Sequence, residues 1–168
     1  MHLADAVDLA TEAHREQVDK AGLPYIDHPL RVMRRVSDGG EDAQMAAVLH
    51  DVLEDTPIAA ADLLEAGCPV EVVAAVEMLS RRRDETYPDF VRRIAMSGDP
   101  IAIVVKLADI TDNADENRLR LLSVDEASRL RDKYREALAI LMKSGRLTED
   151  RYARVWETLI SEAMDEQA

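Results

Sequence analysis

A chain of 168 residues is long enough for one domain with one sizeable core. Its net charge of −13 disfavours non-specific binding to nucleic acid or to an anionic membrane surface. No apolar run approaches the ~20 residues of a membrane span, and no basic-then-apolar leader opens the chain. The single cysteine, Cys68, excludes an internal disulfide and fits a reducing, cytoplasmic setting.

Ala, Leu, Glu and Arg dominate and aromatic residues are few, so helices are expected throughout. Residues 3–18 read as a first helix. Gly22 and Pro24 break the chain, and residues 28–36 read as a second. Asp38-Gly39-Gly40 is a turn. Residues 41–55 read as a third helix, with Met45, Val48, Leu49 and Val52 on one apolar face. Thr56-Pro57 reads as an N-cap followed by proline at the first helical position, opening a short helix that ends near Gly67. Cys68 reads as a small, half-buried turn residue rather than a nucleophile. Helices over 70–79 and 88–96 follow. Asp99-Pro100 is another cap-plus-proline start, before IAIVVKLADI. The β-branched residues of that run would also suit a buried strand. The preceding cap, and the four-residue spacing of Asp109 and Asn113, select a buried helix. Ser123 and Glu126 form a capping-box pattern before a helix reaching about Met142. Thr148 opens a last helix in which Tyr152, Val155, Trp156, Leu159, Ile160 and Ala163 share an apolar face. The expected fold is all-α: a single-domain helical bundle over 1–168, of about nine or ten helices, with the helix over 148–165 packed on the rest.

The third helix carries His50-Asp51 and, one turn later, Glu54-Asp55. His50 and Glu54 are four apart, as are Asp51 and Asp55, which makes each pair neighbours on a helix. His28-Pro29 precedes this run, and Lys106-Leu107-Ala108-Asp109 follows it. Two histidines and two aspartates of this kind can enclose one divalent metal ion. Glu54 and Asp55 can then activate a water, which is the chemistry of a metal-dependent phosphohydrolase. A mixed imidazole and carboxylate set suits Mn, Fe, Zn or Ni better than Mg or Ca. The absence of cysteine pairs argues against a structural zinc. A His-Asp dipeptide alone is common, and an acidic pair alone is ordinarily a solvated helix end; specificity lies in the whole set in this order. An acidic chain repels an anionic substrate at long range, so the metal and a local basic cluster must reverse the field. Arg81-Arg82-Arg83 with Arg92 and Arg93 is the densest basic stretch, and it reads equally well as that cluster or as a solvated face.

The runs AHREQVDKAGLPYIDHPLRV, AAVLHDVLEDT and VVKLADITDN resemble the HD-domain hydrolase region of RelA/SpoT-type proteins, over roughly residues 3–140. They are most similar to the small single-domain alarmone hydrolases. The resemblance implies an all-α fold, bound Mn²⁺, and removal of the 3′ pyrophosphate from ppGpp and pppGpp. It implies His28, His50, Asp51 and Asp109 as metal ligands, with Glu54 and Asp55 as the catalytic acid–base pair. It further implies Lys20 near phosphate, Asn113 at the substrate sugar or its phosphate, and Tyr134 at the substrate, with Arg129 a weaker match. Tyr25 reads as structural support for His28, and His14 as helix packing or support of the ligands.

The sequence departs from that family in two places. Asp19 stands where the long alarmone hydrolases usually carry an arginine that helps hold guanine. Ile110-Thr111-Asp112 stands where the family often has Arg-Leu-His. These changes leave the metal and water chemistry intact and open the identity of the base. The expected function is therefore a metal-dependent nucleotide phosphohydrolase, acting on ppGpp-like alarmones first. The alternatives are an HD phosphohydrolase of another nucleotide (an adenosine alarmone, NADPH or a deoxynucleotide) and a nucleotide-binding regulatory module without turnover. The expected partner is a small-molecule nucleotide, not nucleic acid or membrane, with homo-oligomerisation left open.

Overall fold

A computed structural model describes residues 1–143. Among these residues ten α-helices follow one another: α1 (Leu3–Ala13), α2 (Asp27–Arg35), α3 (Glu41–Leu49), α4 (Val52–Asp55), α5 (Ala60–Glu65), α6 (Val70–Leu79), α7 (Tyr87–Ser97), α8 (Pro100–Asn113), α9 (Glu116–Leu119) and α10 (Val124–Lys143). A 3₁₀ turn, Ser37–Gly39, joins α2 to α3. No strand occurs among the described residues, which makes the fold all-α. The helix expected over 148–165, with Trp156, lies outside those residues.

Helix α3 is the axis of the bundle. Ala43 and the whole run Met45 to Leu49 are buried, because α1, α2, α6 and α8 surround it. A helix buried on every side needs apolar residues all round, and its alanines let the neighbours approach closely. A second apolar cluster forms where α10 meets α7 and α8, with Val91, Leu107, Ile110, Leu138 and Leu141 at its centre. Tyr87 and its neighbours connect the two clusters, and the functional cleft opens between them. No described helix is long and apolar enough to cross a membrane.

Several element boundaries differ from the sequence expectation, each for a local reason. The first helix stops at Ala13 instead of continuing to 18. Beyond it, the Asp19 carboxylate accepts from the backbone N–H groups of Ala21 and Leu23, and Val18 bridges to Pro24. A short acid that captures nearby N–H groups competes with helix continuation. The third helix is not continuous either. It yields at His50-Asp51 and resumes as α4, although the Asp55 N–H still reaches the Asp51 carbonyl at 2.9 Å. Thr56 does not start the next helix: its hydroxyl donates to the Val52 carbonyl, and α5 begins at Ala60, where the Asp62 carboxylate accepts from the Ala59 N–H. Cys68 is buried in the turn after α5. Helix α9 was not expected. It is one turn long, capped by the Asp115 carboxylate.

The run after Asp99-Pro100 is a helix, as the cap indicated. The Asp99 carboxylate accepts from the N–H groups of Ile101 and Ala102 at 2.9 and 3.1 Å. Its β-branched residues Ile103 and Val105 are buried between neighbours, so tertiary packing overrides their strand preference. At the start of α10 the capping box is half formed. Ser123 accepts from the Glu126 N–H, while the Glu126 carboxylate turns away to Lys20. Replacing Asp99 by Ala strips two N–H groups at the start of α8 of their acceptor. The expected loss is about 1 kcal/mol of stability, read from the urea unfolding midpoint, with Asp99→Asn retaining most of it.

Candidate metal centre and catalytic cleft

Three elements bring four side chains to one point. His28 comes from the first turn of α2, His50 and Asp51 from the junction of α3 and α4, and Asp109 from the middle of α8. His50 Nε2 stands 3.0 Å from Asp51 Oδ2 and 3.8 Å from Asp109 Oδ1. His28 Nε2 stands 3.2 Å from Asp109 Oδ1 and 3.8 Å from Asp51 Oδ2. The two rings meet edge to face, with centroids 5.2 Å apart. His28, His50 and Asp51 form a group that could hold a metal ion, and Asp109 adds an oxygen close to both histidines. The spacings suit such an ion, since ligands about 2.1 Å from a centre lie roughly 3.0–3.5 Å from one another.

The histidines have no freedom to turn away. The His50 Nδ1–H donates to the Ala47 carbonyl at 2.7 Å, and the His28 Nδ1–H to Asp112 at 2.8 Å. Both Nε2 lone pairs are thereby aimed at the centre. His50 Nε2 is buried without any hydrogen-bond partner, a deficit that a ligated cation would remove. The charges agree. Burial opposes protonation of His50, yet Asp51 and Asp109 outweigh it and raise its pKa to about 9. Burial likewise opposes ionisation of the two aspartates, but His50 for Asp51 and Lys106 for Asp109 hold both below the usual carboxylate range. The centre is a place where positive charge is favoured.

Asp112, read from the sequence as part of a departure that leaves the metal chemistry intact, is in the structure the support of the ligand candidate His28. It is fully buried, accepts from His28, and is clamped by Arg31 Nε at 2.9 Å and Arg118 at 2.6 Å. Burial would raise its pKa, and His28 and Arg31 lower it instead. A signal was available: Asp112 lies three residues after Asp109 on the same helix face, and Arg31 lies three residues after His28 on another. Lys106, also buried, donates to the second Asp109 oxygen at 2.7 Å.

Glu54 and Asp55, on α4, lie beside the centre. Glu54 Oε2 accepts from the Arg81 backbone N–H at 2.8 Å, and the Arg81 guanidinium is 3.7 Å from Oε1. Burial and the neighbouring Asp51 raise the pKa of Asp55. Tyr25 does more than steady His28, because its hydroxyl lies 2.6 Å from Asp51 and 3.2 Å from Asp55. Gln17 donates to the Asp55 carbonyl and accepts from the His14 Nδ1–H, so buried His14 braces this loop.

A cleft of about 390 Å³ opens above these groups. Lys20, Asn113 and Tyr134 line it, as do Tyr87, Lys106, Arg118 and Lys133, which were not singled out as substrate contacts. Asn113 donates its amide to Asp109 and accepts from Arg118. Lys20 is paired with Glu126 at 3.0 Å on the rim. Arg129 is not brought to the cleft; it is exposed and donates to the Asp125 carbonyl one turn back on α10. Asp19 lines the cleft, but one carboxylate oxygen is engaged by the turn and the other lies 3.7 Å from Arg118. The basic stretch divides. Arg81 faces the cleft, Arg92 pairs with Asp89 on the surface, and Arg93 ties α7 to Glu85 and to the carbonyls of Met78 and Ser80.

Asp112→Asn keeps the shape of the residue that orients His28 and removes its charge. The expected result is a 10–100-fold weaker affinity for a divalent transition metal, measured by calorimetric titration at a temperature where the variant keeps its helical circular dichroism.

Among proteins of known sequence, the guanosine-3′,5′-bis(diphosphate) 3′-pyrophosphohydrolase of Haemophilus influenzae is 39% identical over 115 residues, covering 62% of this chain and 17% of that protein. The bifunctional (p)ppGpp synthase/hydrolase SpoT of Escherichia coli K12 is 36% identical over 121 residues, covering 66% of this chain and 17% of that protein. The chain thus spans about one sixth of the length of these relatives. Among solved structures, a metazoan ortholog of SpoT, described as hydrolysing ppGpp and acting in starvation responses, shares the fold with a TM-score of 0.75 at 22% identity, over 92% of this chain and 93% of that one. The model of the HD domain family matches residues 6–141, which takes in all four residues around the centre and both catalytic candidates, and the chain belongs to the HD domain family.

Proposed function

We propose that this chain is a metal-dependent phosphohydrolase that removes the 3′ pyrophosphate from ppGpp-like alarmones. The observation that carries the reading is the convergence of two imidazoles and two carboxylates at the cleft floor, with a second pair of carboxylates one turn away. The relatives named for 3′-pyrophosphohydrolase activity support the choice of substrate.

In this reading His28, His50, Asp51 and Asp109 hold a divalent transition metal, with Mn²⁺ the first candidate. Such an ion, when bound, supplies Lewis acidity toward a phosphoryl oxygen and lowers the pKa of water. The protein's own groups do the rest. Glu54 or Asp55 accepts a proton from the attacking water, whose oxygen bonds to the phosphorus on the 3′ oxygen. The phosphorus–3′ oxygen bond breaks, pyrophosphate departs, and the ribose 3′ oxygen regains a proton from the other carboxyl. Tyr25, buried against two carboxylates, holds its hydroxyl proton, which lets it steady Asp51 and Asp55 without ionising. Lys106 keeps Asp109 charged and oriented. Lys20, Asn113 and Tyr134 would meet the nucleotide from the cleft walls; Arg129 stands outside it and has no role in this reading.

One observation favours a second reading within the same chemistry. Asp19 is committed to its turn and to Arg118, so this position offers no cation to stack on a base. This supports a relaxed base preference, with an adenosine alarmone, NADPH or a deoxynucleotide as the rival substrate. A binding module without turnover is disfavoured, because it would have no use for Glu54 and Asp55 beside the centre.

The deciding experiment loads purified protein with Mn²⁺ and measures pyrophosphate and phosphate release across a nucleotide panel. Release of pyrophosphate from ppGpp is expected, and silence across the panel would reject the enzyme reading. Elemental analysis should find about one transition metal per chain in the wild type and much less in Asp51→Ala. Glu54→Gln should retain the metal and lose about 10²–10⁴-fold in rate. Near-normal turnover in that variant would remove Glu54 from the mechanism.

A further inference from the structure

We propose that Lys133, supported by Tyr87, forms a second anion subsite in the cleft, which takes the phosphate group at the end of the nucleotide that is not hydrolysed. The inference rests on the phosphohydrolase reading for the identity of its ligand, and on separate residues for its chemistry.

Lys133 projects from α10 into the cleft, with Nζ 4.0 Å from the centre of the Tyr87 ring and 5.2 Å from that of Tyr134. Most of the other cations in the cleft are answered by an acid. Lys106 has Asp109, Arg81 has Glu54, Lys20 has Glu126, and Arg118 has Asp112. No carboxylate among the described residues makes an ion pair with Lys133, in a chain that carries a net charge of −13. A cleft cation with no ion-pair partner among the described residues, in so acidic a protein, is suited to a foreign anion. Tyr87 gives the independent sign. Its hydroxyl is buried with no hydrogen-bond partner, a state that an acceptor oxygen from a ligand would relieve.

The rest of the wall agrees. Lys106 Nζ lies 5.3 Å from the centre of the same Tyr87 ring, on which Lys133 also sits, and Arg81 lines the cleft nearby. Burial lowers the Lys133 pKa and the like charge of Lys106 lowers it further; the charge of Asp109 acts the other way, and Arg81 and Lys20 add smaller lowering effects. Packing of lysine on an aromatic ring explains the Tyr87 contact. It explains neither the missing acid nor the unpaired hydroxyl.

The position selects the ligand. Asp109 is separated from Tyr87 only by Lys106, which donates to Asp109 at 2.7 Å. The subsite therefore stands one side chain beyond the metal centre. A nucleotide carrying phosphate on both sides of its ribose offers such a pair of groups, the 3′ group to the centre and the 5′ group to Lys133.

The test compares a nucleoside 3′,5′-bis(diphosphate) with the matching nucleoside 3′-diphosphate, whose 5′ position is a free hydroxyl. Wild-type protein should prefer the former in kcat/KM by about tenfold to a hundredfold, the strength of charge-assisted hydrogen bonds. Lys133→Gln should bring the ratio toward one, mainly through KM, and Tyr87→Phe should lower it several-fold, whereas Lys133→Arg should keep it. A wild-type ratio near one, or an equal loss on both substrates in Lys133→Gln, overturns the subsite. A second measurement does not need turnover: calorimetric titration of inorganic pyrophosphate into metal-free protein. Binding that weakens at least fivefold in Lys133→Gln supports the subsite, and no wild-type binding or equal affinity overturns it. Failure to cleave either substrate defeats the proposed function, and the titration then decides the subsite alone.

Discussion

Everything in the cleft depends on one electrostatic constraint: Asp51 and Asp109 are brought together inside a helical bundle. Two ionised carboxylates in a buried place are tolerable only with positive charge beside them. The structure answers with two imidazoles, with Lys106 on the outer oxygen of Asp109, and with a point at which a cation completes the set. The need for compensation spreads outward in layers. Asp112 fixes His28 and is itself surrounded by Arg31, Arg35 and Arg118; Arg118 is in turn approached by Asp19. The alternation of charge runs from the centre to the rim.

The bundle exists in the form that this constraint requires. A helix as thoroughly buried as α3 is a rigid axis, and it hands His50 and Asp51 to the cleft at the point where it ends. The break there has a use. Within an unbroken helix the direction of each side chain is set by the helical period; here the interruption at His50-Asp51 leaves His50 buried while Glu54 and Asp55 line the cleft.

The all-α architecture was legible in the sequence because it rests on short-range rules, whereas the grouping of His28, His50, Asp51 and Asp109, which stand on three separate elements, was legible from the order of the motifs and the family resemblance they carry. Helical periodicity and Asp99-Pro100 as a start signal are both local. What escaped was set by long-range contacts. Asp19 could be read only as a missing arginine, because its bonds to the turn and to Arg118 appear after folding. Lys133 gave no signal in the sequence, because the Tyr87 ring beside it is supplied by α7. Arg129, a weaker match to the family pattern, stands outside the cleft, since a residue five positions from Tyr134 on a helix lies about 140° round the axis from it. The basic stretch from Arg81 to Arg93 could not be divided beforehand, because the carbonyls that capture Arg93 belong to a neighbouring segment.

The loop between α1 and α2 ties together two things usually treated as separable. Its Gln17 and Tyr25 grip α4 at the Asp55 carbonyl and the Asp55 carboxylate, while its Asp19 and Lys20 form the mouth of the cleft. The residues at the mouth of the cleft and those that hold α4 are therefore one short covalent unit. Substrate choice in this scaffold cannot drift freely by exchange of that loop. Any replacement that alters the mouth must also rebuild the grip on α4, so new specificities should arise by single substitutions between Gln17 and Tyr25 rather than by insertion or deletion within the loop.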